Sequence, residues 1–302
     1  MYDNMHLHFA LPAQDGEAEE RMLSSLAFAG WTSTGEMQER VRVTYRGFRI
    51  DYWFNERRGR LWGSLHTFAL EHKRGCFTSE LVKSACVALA QDIGIPAALL
   101  HVCTLEISVN LSTPTSPQPF IVSLLEHKRK PFHLHLAPRN TKEPLLSTAT
   151  YRDYRIKAYN KGEYDKSKGV APLLCKPLLR FEVVFTRSRP ILKLLNRSQV
   201  TLEDLFRPEI LLAFGSFLIK TWKLVKRTIE LPFEGMPLEE AFLLNTYNTP
   251  GIWRWMKATM TRSTFGRHRQ RFDQLWQEAQ KRLEPHPYDA IFLQSLHSLL
   301  PS

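Results

Sequence analysis

Residues 101–112, HVCTLEISVNLS, alternate cleanly between polar and apolar side chains. Along a strand, side chains point to opposite faces with a period of two. Thr104, Glu106, Ser108 and Asn110 therefore share one face, and Leu105, Ile107, Val109 and Leu111 share the other. This is the pattern of a half-buried strand, and it commits the chain to a sheet with one apolar and one polar face.

Residues 151–185 carry a second constraint. TYRDYRIKAYNKG and, after a charged loop, LLRFEVVF read as two further strands. On the first, Arg155, Lys157, Tyr159 and Lys161 are expected on one face, with Ile156 and Ala158 turned to the core. A phenol set between fixed cations is suited to attack on a phosphate, because nearby positive charge lowers its pKa and draws in the phosphodiester. Tyr151, Tyr154 and Tyr164 lie close by as competing tyrosines, and Glu182 reads as an ion-pair partner of Arg180 or a metal ligand.

Elsewhere in the N-terminal part, MHLHFALP reads as a short strand, followed by an acidic helix over 15–29 closed by Gly30. VRVTYRGFRIDYWFNERRGRLWGSLHTFAL predicts two or three antiparallel strands, with turns near Arg46-Gly47 and between Asn55 and Gly59. Thr78 caps a helix that ends at Gly94 and Pro96. A helix near 119–127 and a short strand, KPFHLHLAP, complete the set. The expected fold class is α+β: an antiparallel sheet of about five strands with packed helices, at residues 1–197. From a soft boundary near Arg197, residues 198–302 read as an all-helical DNA-binding or accessory region.

Two groups of side chains extend the chemistry. His133 and His135 flank Leu134 on the short strand, a His–hydrophobic–His pattern that, with Glu106, suggests ligands for Mg2+ or Mn2+. His6 and His8 repeat the pattern, and either pair can equally be solvent-facing strand histidines. Between Arg254 and Arg282, eight Lys and Arg residues stand against Asp273 and Glu278, interleaved with Trp253, Trp255, Phe265, Phe272 and Trp276. Phe265, Phe272, Leu275, Trp276 and Ala279 form a core-facing stripe. Arg267, Arg269 and Arg271, together with Arg155 and Lys157, are the candidate DNA contacts, Arg267 and Arg271 lying one turn apart. A solvated basic helix is the competing reading of the first three.

Composition agrees with such a partner. A formal net charge of +11 and a pI near 9.6 suit a polyanion. There is no run of about 20 apolar residues and no basic leader, so no membrane is expected and a cytoplasmic location is. Cys76, Cys86, Cys103 and Cys175 are too scattered for a zinc or disulfide framework and read as packing residues. No Gly-rich phosphate loop is present, which disfavours an ATPase motor.

Taken in order, MHLHFALP, RLWGSLHTFALEHKRG, CTLEISVNLS, YRIKAYNKG and LLRFEVVF resemble the replication-associated proteins of the filamentous-phage gene II/gene X type, rolling-circle initiators of phages and plasmids. These blocks span roughly residues 5–186. The resemblance implies a metal-dependent endonuclease and strand transferase that nicks one strand of origin DNA, stays linked through a phosphotyrosyl bond and rejoins the strand. Tyr159 matches the nucleophile, Lys161 the lysine two residues on, and Glu106 the acidic metal-side position. His133 and His135 do not carry over from the family. Single-stranded or supercoiled origin DNA is the implied partner, with a host replication helicase expected by analogy. A non-nicking DNA-binding replication or copy-control protein stays open as the alternative, as does an RNA-directed protein on the same sheet.

Overall fold

The structure is a computed structural model, and it describes residues 1–12, 16–28, 40–71, 77–136, 144–167, 177–228, 235–249, 251–282 and 286–301. In chain order the N-terminal elements are β1 (Tyr2–Ala10), α1 (Gly16–Phe28), β2 (Arg40–Tyr45), β3 (Phe48–Trp53), β4 (Arg58–Ser64), α2 (Leu65–Leu70), α3 (Ser79–Asp92) and β5 (His101–Ser112). The middle of the chain forms α4 (Gln118–Ser123), β6 (Leu124–His127), β7 (Lys130–Pro131), β8 (His133–Leu136), β9 (Pro144–Thr150), β10 (Tyr154–Asn160), α5 (Lys161–Ser167) and β11 (Leu178–Phe185). Then follow α6 (Ser188–Leu195), α7 (Pro208–Lys223), β12 (Val225–Arg227), α8 (Leu238–Tyr247), α9 (Ile252–Thr259), α10 (Arg262–Arg282) and α11 (Pro287–His297).

Among the described residues the main sheet has nine strands, not about five, in the order β2-β3-β4-β1-β5-β11-β10-β9-β8, and every pairing is antiparallel. Its extra width is a matter of backbone accounting. A strand edge carries unpaired N–H and C=O groups, and each predicted hairpin satisfies them by adding to the same sheet. The β2–β4 meander joins through β1, and β8 and β9 extend the far edge beyond β10. The turn at Arg46-Gly47 has positive φ at both residues, 43° and 83°, which matches the twist of a two-residue hairpin. Gly30, Cys76 and Cys175 lie outside the described residues.

Alternation places the core where expected. Leu105, Ile107, Val109 and Leu111 are buried with Met5, Leu7, Ile156, Ala158, Phe181 and Val183. Helices α1, α3, α6, α7 and α11 contribute to the same core, through Met22, Leu89, Ile191, Phe214 and Phe292 among others. Thus α7 and α11, both C-terminal to Arg197, pack with the sheet, whereas α8, α9 and α10 close a second core of Leu244, Tyr247, Met256, Phe272, Leu275, Trp276 and Ala279.

Two helical expectations give way to strands. Residues 119–127 split into α4 and β6, and Val225–Arg227 pairs with β6 instead of prolonging α7, so the C-terminal region is not all-helical. β12, β6 and β7 pair into a small separate sheet, and that pairing outweighs local helix propensity there.

Candidate active site on the polar face

Cross-strand partners in an antiparallel sheet project to the same side. Register therefore lines up Asn110, Arg180 and Tyr159 in one row and Ser108, Glu182 and Lys157 in the next. Glu106 follows two residues along β5, on the same face. Asp3 and Asn4 join from β1, where the register shifts between Tyr2 and Met5 and turns two consecutive polar side chains toward the group.

The result is a continuous hydrogen-bonded network. The phenol of Tyr159 donates to Glu182 Oε1 at 2.9 Å. Arg180, only 1% exposed, donates to Glu182 at 2.5 Å, to Asp3 at 2.6 Å and to Asn110 at 3.0 Å. Lys157 spans the other oxygen of Glu182 (3.1 Å) and Glu106 (3.4 Å). Asn4 donates to Glu106 at 2.5 Å, and Ser64 from β4 donates to Asp3 at 2.6 Å. Glu182 thus forms the ion pair expected with Arg180, and a second one with Lys157 that the sequence did not suggest.

Burial and charge compete at each group. Burial disfavours ionised Glu182, but Arg180 and Lys157 outweigh it and hold the carboxyl below the usual range. Burial opposes the charge on Lys157 as well, and Glu182 and Glu106 more than restore it. Tyr159 is 8% exposed, and its phenol is held well above its ordinary pKa, first by burial and then by the Glu182 charge. The cations read from sequence as activating it are engaged with carboxylates. Tyr159 is consequently a neutral phenol at rest, poised against a carboxylate acceptor.

Lys161 departs from the expected strand face, because β10 ends at Asn160 and Lys161 opens α5. It is buried, its ammonium bonds Asp165 at 2.6 Å and lies 5.5 Å from the centre of the Tyr164 ring, and burial lowers its pKa. Tyr164 in turn packs 5.2 Å from Tyr159. Arg155 is exposed on the polar face of β10.

His133 and His135 lie on β8, the edge strand, four positions from the strand that carries Glu106. Neighbouring strands lie about 4.8 Å apart, so the structure does not bring these histidines together with Glu106. His135 bonds Thr148 instead, at 2.7 Å. What converges is Asp3, Glu106 and Glu182, whose nearest oxygens lie within 4.8 Å of one another. An all-oxygen donor set suits Mg2+ or Mn2+. Three carboxylates against Arg180 and Lys157 carry a formal charge of −1. The donor set is hard, all-oxygen and net negative, so the residues fit a divalent cation, which would compete with Lys157 for Glu106 and Glu182.

Asp3 and Ser64 were not legible as site residues. Asp3 sits off-phase in its strand because of the register shift, and its signal is a carboxylate beside Asn4 in an otherwise apolar segment, MYDNM.

On the basic helices, Arg269 is buried against Trp253, its guanidinium 3.7 Å from the ring centre, and bonds Glu126 of β6 at 2.9 Å. It is a strut between the second core and the small sheet. Arg271 is exposed and bonds Glu240 at 2.6 Å, while Arg267 is exposed beside Thr264. The half-turn offset of Arg269 from Arg267 and Arg271 explains the division.

No protein-family model matches the chain, and no curated protein matches it. Among solved structures, the rolling circle replication initiator protein from Geobacillus stearothermophilus aligns over 74% of this chain and 84% of its own, at 9% identity and a TM-score of 0.37. A superposition that loose carries no argument about fold or chemistry. Among the described residues, no helix is long and apolar enough to cross a membrane.

Proposed function

We propose that the chain nicks and rejoins one strand of origin DNA in rolling-circle replication, with Tyr159 as the nucleophile. One observation carries this reading: the Tyr159 phenol donates directly to Glu182, a member of the three-carboxylate cluster. The order of sequence blocks that resemble those of gene II/gene X-type proteins supports it as well.

In the proposed reaction, Tyr159 Oη attacks phosphorus while its proton passes to Glu182 Oε1. The P–O3′ bond breaks, the 3′ oxygen takes a proton from solvent, and the 5′-phosphate stays on the tyrosine. Attack by a 3′-hydroxyl reverses the step and rejoins the strand. Lys161 supports the phosphate from the start of α5, and Arg155 and Lys157 offer it positive charge. Mg2+ or Mn2+, held by Asp3, Glu106 and Glu182, would supply Lewis-acid polarisation of the phosphate. Residues 1–197 carry the chemistry in this reading. Arg267 and Arg271, within 198–302, grip single-stranded or supercoiled DNA, and a replication helicase is the partner to seek.

A specific observation favours a second reading, a non-nicking DNA-binding replication or copy-control protein. Tyr159 is nearly inaccessible, and Asp3, Glu106 and Glu182 all have partners. Purified protein incubated with single-stranded origin DNA and Mn2+, then run on a denaturing gel, separates the two. A covalent adduct lost in Tyr159→Phe and in chelator supports the nuclease. An adduct that survives Tyr159→Phe moves the nucleophile to a neighbouring tyrosine, and reversible, salt-sensitive binding with no adduct leaves the non-nicking protein.

A further inference from the structure

The polar face of the sheet continues past the acidic cluster onto β1, β4, β3 and β2, where its character changes. Register sets Arg42, Asp51, Arg60 and His8 in one row, and Thr44, Arg49, Trp62, His6 and Thr104 in the next. Arg40 and Trp53 pair in the row beyond. The reverse side of these strands is core, with Val41, Val43, Phe48, Ile50 and Leu61 buried. Arginine and tryptophan thus interleave on a face whose other side is fixed by packing.

The arginines are held in place without being covered. Asp51 is 0% exposed, and its two oxygens take Arg42 at 2.8 Å and Arg60 at 2.9 Å, while 43% of each arginine side chain stays open to solvent. Arg49 and Arg60 lie 4.8 and 4.9 Å from the centre of the Trp62 ring, and Arg60 lies 5.1 Å from that of Trp53. Four arginines against Asp51 leave a local charge of +3. One carboxylate beneath two guanidinium groups orients them sideways, across the sheet, instead of neutralising the face.

We infer that Arg40, Arg42, Arg49 and Arg60, with Trp53 and Trp62, form a track for single-stranded DNA that leads across β1 to Glu106. Successive bases stack on the tryptophans and the arginine planes, and the phosphates meet the guanidinium groups; cationic grooves with aromatic platforms bind single strands in this way. Duplex fits less well, since its bases are not free to stack. His6 and Thr104 continue the Trp62 row to β5, and Thr104 precedes Glu106 by two residues on the same face. The track deepens the nicking reading and rests on it for the choice of DNA, but its test does not depend on cleavage.

Binding of fluorescent oligodeoxynucleotides, followed by anisotropy across a salt series, tests the track on the full chain. Trp53→Ala with Trp62→Ala should weaken binding roughly a hundredfold, as two lost stacking contacts imply, and Trp53→Phe with Trp62→Phe should recover most of it. Arg40→Gln should flatten the salt dependence by about 0.7 in log–log slope, the value for one phosphate contact on a single strand. Thermal melts confirm folding of each variant. Unchanged affinity in the folded double-alanine variant, no binding by the wild type, or tighter binding of the matching RNA each overturns the track. Tryptophan-dependent binding without any Tyr159 adduct upholds it and removes the nicking reading alone.

Discussion

The two halves of the sheet's polar face use the same alternation for opposite ends. Around Glu182, on β5, β11 and β10, the charges are sunk, Arg155 at the margin excepted, with Arg180 and Glu182 almost wholly inaccessible and each carboxylate matched to a cation or an amide. On β2, β3 and β4 a single buried carboxylate supports arginines that stay wet. Burial is the variable that separates them. Where side chains are desolvated, charges are strong, fixed and costly to disturb; where they are open, the same residue types are weak individually and free to meet a ligand. The first environment suits proton transfer, the second suits binding.

Mutations should reproduce that contrast in size. Arg180→Met strands Asp3 and Glu182 as buried charges without their shared partner, and denaturant unfolding should show a loss of about 3–5 kcal/mol. A loss below ~1 kcal/mol would mean the inner network is no more tightly coupled than the outer one.

An acid titration of stability comes next. Glu182 is held below its unfolded value of 4.5, so the stability it contributes is complete above that pH and drains away as pH falls through the depressed folded value. Glu182→Gln should therefore lose less stability on acidification below about pH 4.5 than the wild type does, Asp51 and Asp204 supplying the acid sensitivity that remains. Coincident acid limbs for the two proteins would break the assignment of that charge.

Smallest of all, Arg40→Gln on the outer half should leave stability within about 0.5 kcal/mol of the wild type while still lowering the salt slope of oligonucleotide binding. A large stability loss there would make the outer face a structural element and sharpen the comparison the other way.

What could be read in advance follows the same division between local pattern and distant assembly. The strand around Glu106, the strands of Tyr159 and Glu182, the cap at Thr78 and the stripe through Phe272 and Trp276 are local patterns, and each is found as expected. How many strands share a sheet is not local. Alternation marks a strand without naming its neighbours, so β9, with its sequence PLLSTAT, passed unnoticed and the sheet was undercounted. His133 and His135 alternate on a strand as expected, but no local pattern shows that β8 lies four strands from the one that carries Glu106. Asp3 was hidden by a register shift. Tyr159 was legible as a residue between cations, but its burial and its bond to Glu182 depend on β11 and α5 closing around it.

The position of β1 bears on how the molecule is made. It precedes β4 and β5 in the chain, yet it lies between them in the sheet and must wait for both before its two edges are paired. Arg180 reaches Asp3 across 177 residues of sequence. Contacts this distant slow folding and leave a pairing-hungry strand exposed meanwhile. The acidic cluster can therefore form only after β11, which carries Glu182, has been translated and docked beside β5.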